Sequence, residues 1–272
     1  MNADVFKNFE RREHDRVAGG YHDFFEPVTG GAITALLDDA GVRPGCRALD
    51  VATGPGAVAA AAAARGASRV VGADLSPRMV ALAARLYPGV EFREADAEAL
   101  PFDNGAFDAV ASNFGIGHFP GPERAIAEFV RVLAPGGRAA VSWWLRPLRN
   151  RLNGVFFEAM AEAGAPLPPG VPEGPAVFRF SDEAELRALL SGAGLDEVTT
   201  REVTWAHTVP SAEAWWFGGL GSLARASANV LGQEPAMLAR IRAAFDRLVE
   251  PHAAEGGYRV PCGAWVASGR KR

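Results

Sequence analysis

Cysteine, lysine and long apolar runs are all scarce in this chain of 272 residues, and each scarcity narrows what it can be. The two cysteines, Cys46 and Cys262, stand far apart with no histidine at ligand spacing. Neither a disulfide framework nor a structural zinc site is expected, and no metal is assigned. No stretch of about 18 apolar residues is free of charge, so no segment should span a membrane. The opening residues Met1–Lys7 lack the apolar core of a signal peptide, and a cytoplasmic location is expected. Lysine occurs only at positions 7 and 271, which leaves no Tyr-x-x-x-Lys pair for hydride chemistry. The formal net charge is −4, and without a basic stripe nucleic acid is not an expected partner. The one basic cluster, Arg146, Arg149 and Arg151, reads as a solvated face.

What is present is apolar residue, 49% of the chain, enough for one sizeable core and a single domain with embellishments. Residues 33–40 have an apolar helical face closed by Gly41. Arg47–Ala52 is a short apolar run ending in Thr53–Gly54–Pro55–Gly56, and the alanine-rich stretch 57–65 has high helix propensity. Strands follow at 69–73, 90–93, 106–112 and 139–144, with helices between them, one opened by Ser76 and Pro77 as N-cap and first helical residue. This alternation predicts a doubly wound α/β fold, a mostly parallel seven-stranded sheet covered on both faces. Ligands of such sheets bind beyond the carboxyl ends of the strands, where the strand order reverses. Five prolines among residues 165–175 predict a stiff loop, and a helical stretch at about 211–252 interrupts two late strands, placed to act as a lid. The expected organisation is a helical cap (1–40), a ligand-binding core (41–150), and the remaining strands with the lid (151–272), all in one structural domain.

The sharpest local feature is Leu49–Asp50–Val51–Ala52–Thr53–Gly54–Pro55–Gly56. Glycines after a strand let the backbone approach a ligand and turn sharply into a helix. Gly54–Pro55–Gly56–Ala57–Val58–Ala59 also satisfies the dinucleotide fingerprint, with Asp74 twenty residues beyond Gly54. This segment alone therefore indicates an adenosine-containing ligand without separating S-adenosylmethionine from a nicotinamide nucleotide. Downstream features favour the former. Asp50 lies within the strand, where a cationic sulfonium tolerates a carboxylate better than a pyrophosphate does. Glu94–Ala95–Asp96–Ala97–Glu98, Leu100–Pro101–Phe102, Phe107–Asp108–Ala109–Val110 and Leu133–Ala134–Pro135–Gly136–Gly137 follow in order.

The ordered set over residues 41–145 resembles the class I S-adenosylmethionine-dependent methyltransferases, closest to the small-molecule branch of the ubiquinone-biosynthesis type. Ala52 stands where that family often has glycine. The resemblance implies S-adenosyl-L-methionine as cofactor, with the backbone of Ala52, Thr53 and Gly54, beside Asp50 and Gly56, cradling its methionine portion. It further implies Asp74 on both ribose hydroxyls, Leu75 and Met79 around the adenine, and Asp96 beside Ala97 on the exocyclic amine. Asn113 and Phe114 would contact the methionine portion and border the acceptor, with Tyr21 contributed by the cap.

The resemblance carries no acceptor identity. Holding an acceptor in line can supply roughly 7–11 kcal/mol, so a base is optional, although one typically contributes about 10²–10⁴-fold. His118, after the fourth strand, and His22, in the cap, are the candidates for it. Phe24, Phe25, Trp143, Trp144, Trp205 and Trp215–Trp216–Phe217 suit a flat or apolar acceptor, though Trp143 and Trp144 alternate across the sheet and only one of them should line the cleft. The expected activity is methyl transfer to O, N or C of a small, partly apolar metabolite, with a homodimer an open assembly. The competing readings are a cofactor-binding protein with a non-methylating, cyclase-like reaction and an RNA methyltransferase.

Overall fold

The computed structural model describes all 272 residues. The chain opens with helix α1 (Ala3–Gly20), a π-helical turn (Tyr21–Phe25), α2 (Glu26–Thr29) and α3 (Ile33–Asp39). Then come β1 (Arg47–Val51), α4 (Ala57–Ala64), β2 (Arg69–Asp74), α5 (Pro77–Leu86), β3 (Glu91–Glu94), β4 (Phe107–Ser112), α6 (Pro122–Val132) and β5 (Leu133–Trp144). The last part holds α7 (Arg151–Ala163), α8 (Glu183–Gly192), β6 (Asp196–Val209), α9 (Ala212–Ser222), α10 (Ala224–Leu231), α11 (Pro235–Val249), β7 (Ala253–Ala254) and β8 (Gly257–Arg270).

The strands form one sheet in the order β3-β2-β1-β4-β5-β8-β6. The first five are parallel, and β8 runs antiparallel between β5 and β6. The expected seven-stranded mixed sheet is present, with the two-residue β7 added against β8. Strand order reverses between β1 and β4, so the loops after β1, β2 and β4 border one crevice. β1, β2 and β4 are buried along nearly their whole length because helices cover both faces. β6, at the edge, alternates between half-buried and exposed residues instead.

Helix α6 shows how local pattern becomes packing: Ala125, Ile126, Phe129 and Val132 recur on one face, and all are buried. One continuous apolar core joins Phe25 and Val28 of the N-terminal segment to Val71 and Val110 of the sheet and to Phe156, Trp215 and Phe245 of the C-terminal helices. The basic cluster is solvated in part: Arg146 and Arg149 are exposed and pair with Asp182 and Glu202, whereas Arg151 is buried and paired with Glu158 at 2.7 Å.

Gly72 in β2 lets the Phe92 ring and the Thr53 hydroxyl close over the strand. A Cβ there would lie 2.5 Å from the ring and 2.8 Å from Thr53 Oγ1. Gly72→Ala should therefore destabilise the fold by about 1–3 kcal/mol, seen as a lower urea midpoint at unchanged m-value; an unmoved midpoint would contradict this packing.

Candidate functional site

The turn after β1 is shaped by three residues in the left-handed region, Ala52 (φ 58°), Gly54 (φ 54°) and Gly56 (φ 98°). For Ala52 this conformation costs about 1–2 kcal/mol, the physical reason glycine is common at that position. Two acids hold the turn, Asp50 buried and Asp74 half-buried. Asp74 accepts the Gly54 N–H on Oδ2 at 2.8 Å and the Ser76 N–H on Oδ1 at 2.9 Å. Asp50 Oδ2 accepts the Thr53 hydroxyl at 2.5 Å and the Ala59 N–H at 3.1 Å, tying the turn to the first turn of α4. Its Oδ1 has no partner.

Above the turn lies a cleft of about 890 Å³, counted out to its open mouth. Of the residues expected at the cofactor, Tyr21, Ala52, Gly54, Asp74, Leu75, Met79, Asp96, Ala97, Asn113 and Phe114 all line it. Asp50, Thr53 and Gly56 do not. Asp50 points beneath the turn because its strand alternation sends it away from the crevice, Thr53 is spent on Asp50, and Gly56 caps α4 where a Cβ would meet Phe92. Each Asp74 oxygen takes one backbone N–H and keeps one lone pair for a ligand.

Asn113 and Phe114 are fixed by Ser142, whose hydroxyl donates to Asn113 Oδ1 at 2.6 Å and accepts the Phe114 N–H at 3.0 Å. Asn113 Nδ2 donates to the Thr29 carbonyl, joining the loop to the N-terminal segment. Phe114 lies flat on Trp144, with centroids 3.7 Å apart.

A second cavity of about 540 Å³ adjoins the first, and His14, Tyr21, Phe25, His118 and Trp144 line both. Both Trp143 and Trp144 reach this second chamber, so the single-tryptophan expectation holds only for the first. Of the expected lid, only Ser222 to Ala226 at the α9–α10 junction touches a chamber. Trp215 and Trp216 are core residues, the former donating its Nε1–H to the Leu152 carbonyl, while Phe217 is exposed. None of the three lines either chamber. The aromatic pattern alone did not separate core packing from cavity lining.

His118 Nδ1 lies 2.9 Å from Glu10 Oε2, and Trp143 meets the ring edge-on. His22 is set apart from both chambers and pairs with Glu26 at 3.2 Å on its own helical turn, so it is no candidate for the chemistry. Helix α1 supplies residues that motif reasoning missed: Lys7, Glu10, Arg11 and His14 all line the first chamber. Their i, i+3, i+4, i+7 spacing is a polar helical stripe, the one signal that pointed to them. Lys7 Nζ donates to Asp96 Oδ2 at 2.6 Å, and Asp15 Oδ1 accepts the Ser76 hydroxyl at 2.6 Å.

Burial pushes the Asp50 carboxyl up to about 7, against the hydrogen bonds from Thr53 and Ala59, with the Asp74 charge adding to the rise. Burial raises Asp74 as well, partly offset by the N–H groups of Ser76 and Gly54. Glu10 moves the other way: burial would raise it, but the His118 and His14 rings and Arg225 hold it below the ordinary range. Burial also raises the Tyr21 phenol.

The matching family model is described as a methyltransferase domain and aligns with residues 49–141. A demethylmenaquinone methyltransferase of Beutenbergia cavernae is 34% identical over 62% of this chain and 74% of its own. One of Chlorobaculum tepidum is 46% identical over 34% of this chain and 38% of its own. The chain spans about half the length or less of the first curated relatives it matches. A putative methyltransferase from an antibiotic biosynthesis pathway of Anabaena variabilis shares the fold at TM-score 0.61 and 19% identity, over 87% of this chain and 95% of that one. The cyclase SpnF does so at TM-score 0.53 and 23% identity, over 88% and 80%.

Because Asp50 is buried with its carboxyl raised, the folded state holds a proton there that the unfolded chain has released above about pH 4. Stability should fall as pH rises from about 4 to about 7, and Asp50→Asn should flatten that slope in urea denaturation run across the window. Parallel curves for the two proteins would contradict the assignment.

No helix is long and apolar enough to cross a membrane. The sheet order, the acid-braced turn after β1 and the matched relatives agree: the chain belongs to the class I S-adenosylmethionine-dependent methyltransferases.

Proposed function

We propose that this chain transfers the methyl group of S-adenosylmethionine to a small, flat, largely apolar metabolite held in the second chamber. The observation that carries this reading is the meeting of two chambers at one shared wall of His14, Tyr21, Phe25, His118 and Trp144. The residues fit that cofactor. The Asp74 carboxylate at the rim of the cleft suits a cationic ligand and opposes a pyrophosphate, and such a cation would also favour ionisation of the raised Asp50 carboxyl beneath the turn. Asp74 would take the ribose hydroxyls, Leu75 and Met79 the purine faces, and Asp96 with Ala97 the purine edge. Ala52 and Gly54 would take the methionine portion, with Tyr21, Asn113 and Phe114 beside it.

When bound, the cofactor would supply an electrophilic methyl group to the acceptor. The chain's own contribution is to hold the acceptor in line across the shared wall and to exclude water with the aromatic groups around it. The Trp144–Phe114 stack offers ring faces that complement positive charge at the junction. His118, oriented by Glu10, is the group placed to receive a proton lost by the acceptor.

Several curated relatives are named for demethylmenaquinone, and the aromatic lining of the second chamber supports a flat ring system as acceptor here too. The resemblance to SpnF concerns the fold, so it gives a non-methylating reaction no specific support. A cytoplasmic location belongs to the same proposal, in keeping with two buried, unpaired cysteines.

The test is incubation with methyl-labelled cofactor and a cell extract. Label should enter a low-mass apolar product; label entering RNA, or transfer to nothing, would overturn the reading. In parallel, Asp74→Ala should weaken cofactor binding by at least about tenfold in calorimetry, since a hydrogen bond to a charged group is worth about 1.5–3 kcal/mol. Unchanged affinity would remove Asp74 from the site.

A further inference from the structure

We propose that Glu10, His14 and His118 form a binding site for a divalent transition-metal ion at the junction of the two chambers. Glu10 and His14 stand four residues apart on α1, so their side chains share one face one turn apart, the spacing at which a helix chelates. His118 reaches them from the helical turn Ile116–His118. One ligand atom from each of the three lies within 4.8 Å of the other two. Glu10 Oε2 is the hub, 2.9 Å from His118 Nδ1 and 3.5 Å from His14 Nδ1.

A second observation points to a ligand. Glu10 is only 3% exposed, and its Oε1 has no hydrogen-bond partner. A buried carboxyl oxygen left unpaired is costly, and a cation bound by the carboxylate would satisfy it.

Two imidazoles and one carboxylate are the donor set of catalytic zinc and non-haem ferrous sites, whereas calcium and magnesium take mainly oxygen donors. The His14 and His118 rings meet edge-on at 4.9 Å and Trp143 packs on the His118 ring, which limits how far either ring can turn. To ligate through Nδ1, His14 gives up its 2.8 Å contact with the Glu10 carbonyl oxygen. Gly117 leaves no Cβ between that turn and the indole, where one would lie 2.0 Å from the ring. The other charges near the cluster are Arg225, which bonds the Pro175 carbonyl, Asp74 across the first chamber, and Lys7 and Arg11 on the same face of α1, Lys7 being paired with Asp96. Both histidines are partly exposed to both chambers, which gives an ion an entry path and open coordination positions.

Binding of the ion stands apart from the methyl-transfer reading. Only its use rests on that reading: open positions facing the second chamber would polarise an acceptor oxygen and ease loss of its proton.

The experiment is titration of the untagged, chelator-treated full chain with Co²⁺, without cofactor or acceptor, followed by visible absorption and by displacement with Zn²⁺. One equivalent per chain with ligand-field bands, displaced by Zn²⁺, is expected. Glu10→Gln, His14→Gln and His118→Gln should each weaken binding by at least about tenfold, as loss of a ligand or its support does, while His22→Ala leaves it unchanged. Calorimetry with the cofactor on each variant separates loss of the site from loss of the fold, and any one folded variant decides the matter. No ligand-field bands, or bands that persist in a folded variant, would overturn the metal site and leave the methyl-transfer reading untouched.

Discussion

The site depends on two carboxylates from adjacent parallel strands that hold one turn of backbone. Asp74 at the end of β2 takes the Gly54 N–H, while Asp50 in β1 takes the Thr53 hydroxyl and the Ala59 amide in the first turn of α4. The turn they hold contains three left-handed residues, one of them an alanine, and these bonds add to the two backbone bonds made by the Thr53 and Gly56 N–H groups. The arrangement has an electrostatic cost. Burial pushes both acids toward neutrality, the Asp74 charge pushes Asp50 further, and a cationic ligand would oppose both shifts. Architecture and ligand preference thus follow from the same pair of residues.

The N-terminal helix completes what the sheet begins. Lys7 reaches Asp96, Glu10 reaches His118 and Asp15 reaches Ser76, so α1 is fastened across the cleft from its far rim to the strand-order reversal. Each of these bonds joins α1 to a loop after a different strand, β3, β4 or β2. The same helix face therefore lines the first chamber and supplies His14 to the wall shared with the second. Exposed ion pairs are worth little individually, but Glu10 is buried, and its contact with His118 positions a group at the centre of the site.

Much of this was legible in the sequence, for reasons that were local. A parallel sheet buried on both faces writes continuous apolar runs, and a glycine turn between strand and helix needs particular residues at fixed spacing, so β1, its turn and Asp74 were readable. Asp50 was identified but placed on the wrong side of the turn, because its proximity to the glycines outweighed the alternation of the strand. His22 was misjudged since a histidine beside aromatic residues looks the same whether it meets a cavity or a glutamate one turn away. Trp215 and Trp216 were assigned to the pocket on composition alone, yet packing against α7 and α11 claims them. The polar stripe Lys7–Glu10–Arg11–His14 was visible at helical spacing, but only the long-range docking of α1 on the sheet shows that it faces a cleft and not solvent.

The central claim is that the acid-braced turn and Asp74 hold an adenosine-linked amino acid at the carboxyl edge of the sheet. A crystal structure with S-adenosylhomocysteine tests it most directly. The account predicts ribose hydroxyls on Asp74, the purine between Leu75 and Met79, and sulfur directed toward the wall shared with the second chamber. A vacant cleft at saturating ligand, or the amino-acid portion lying away from residues 52–54, would contradict it.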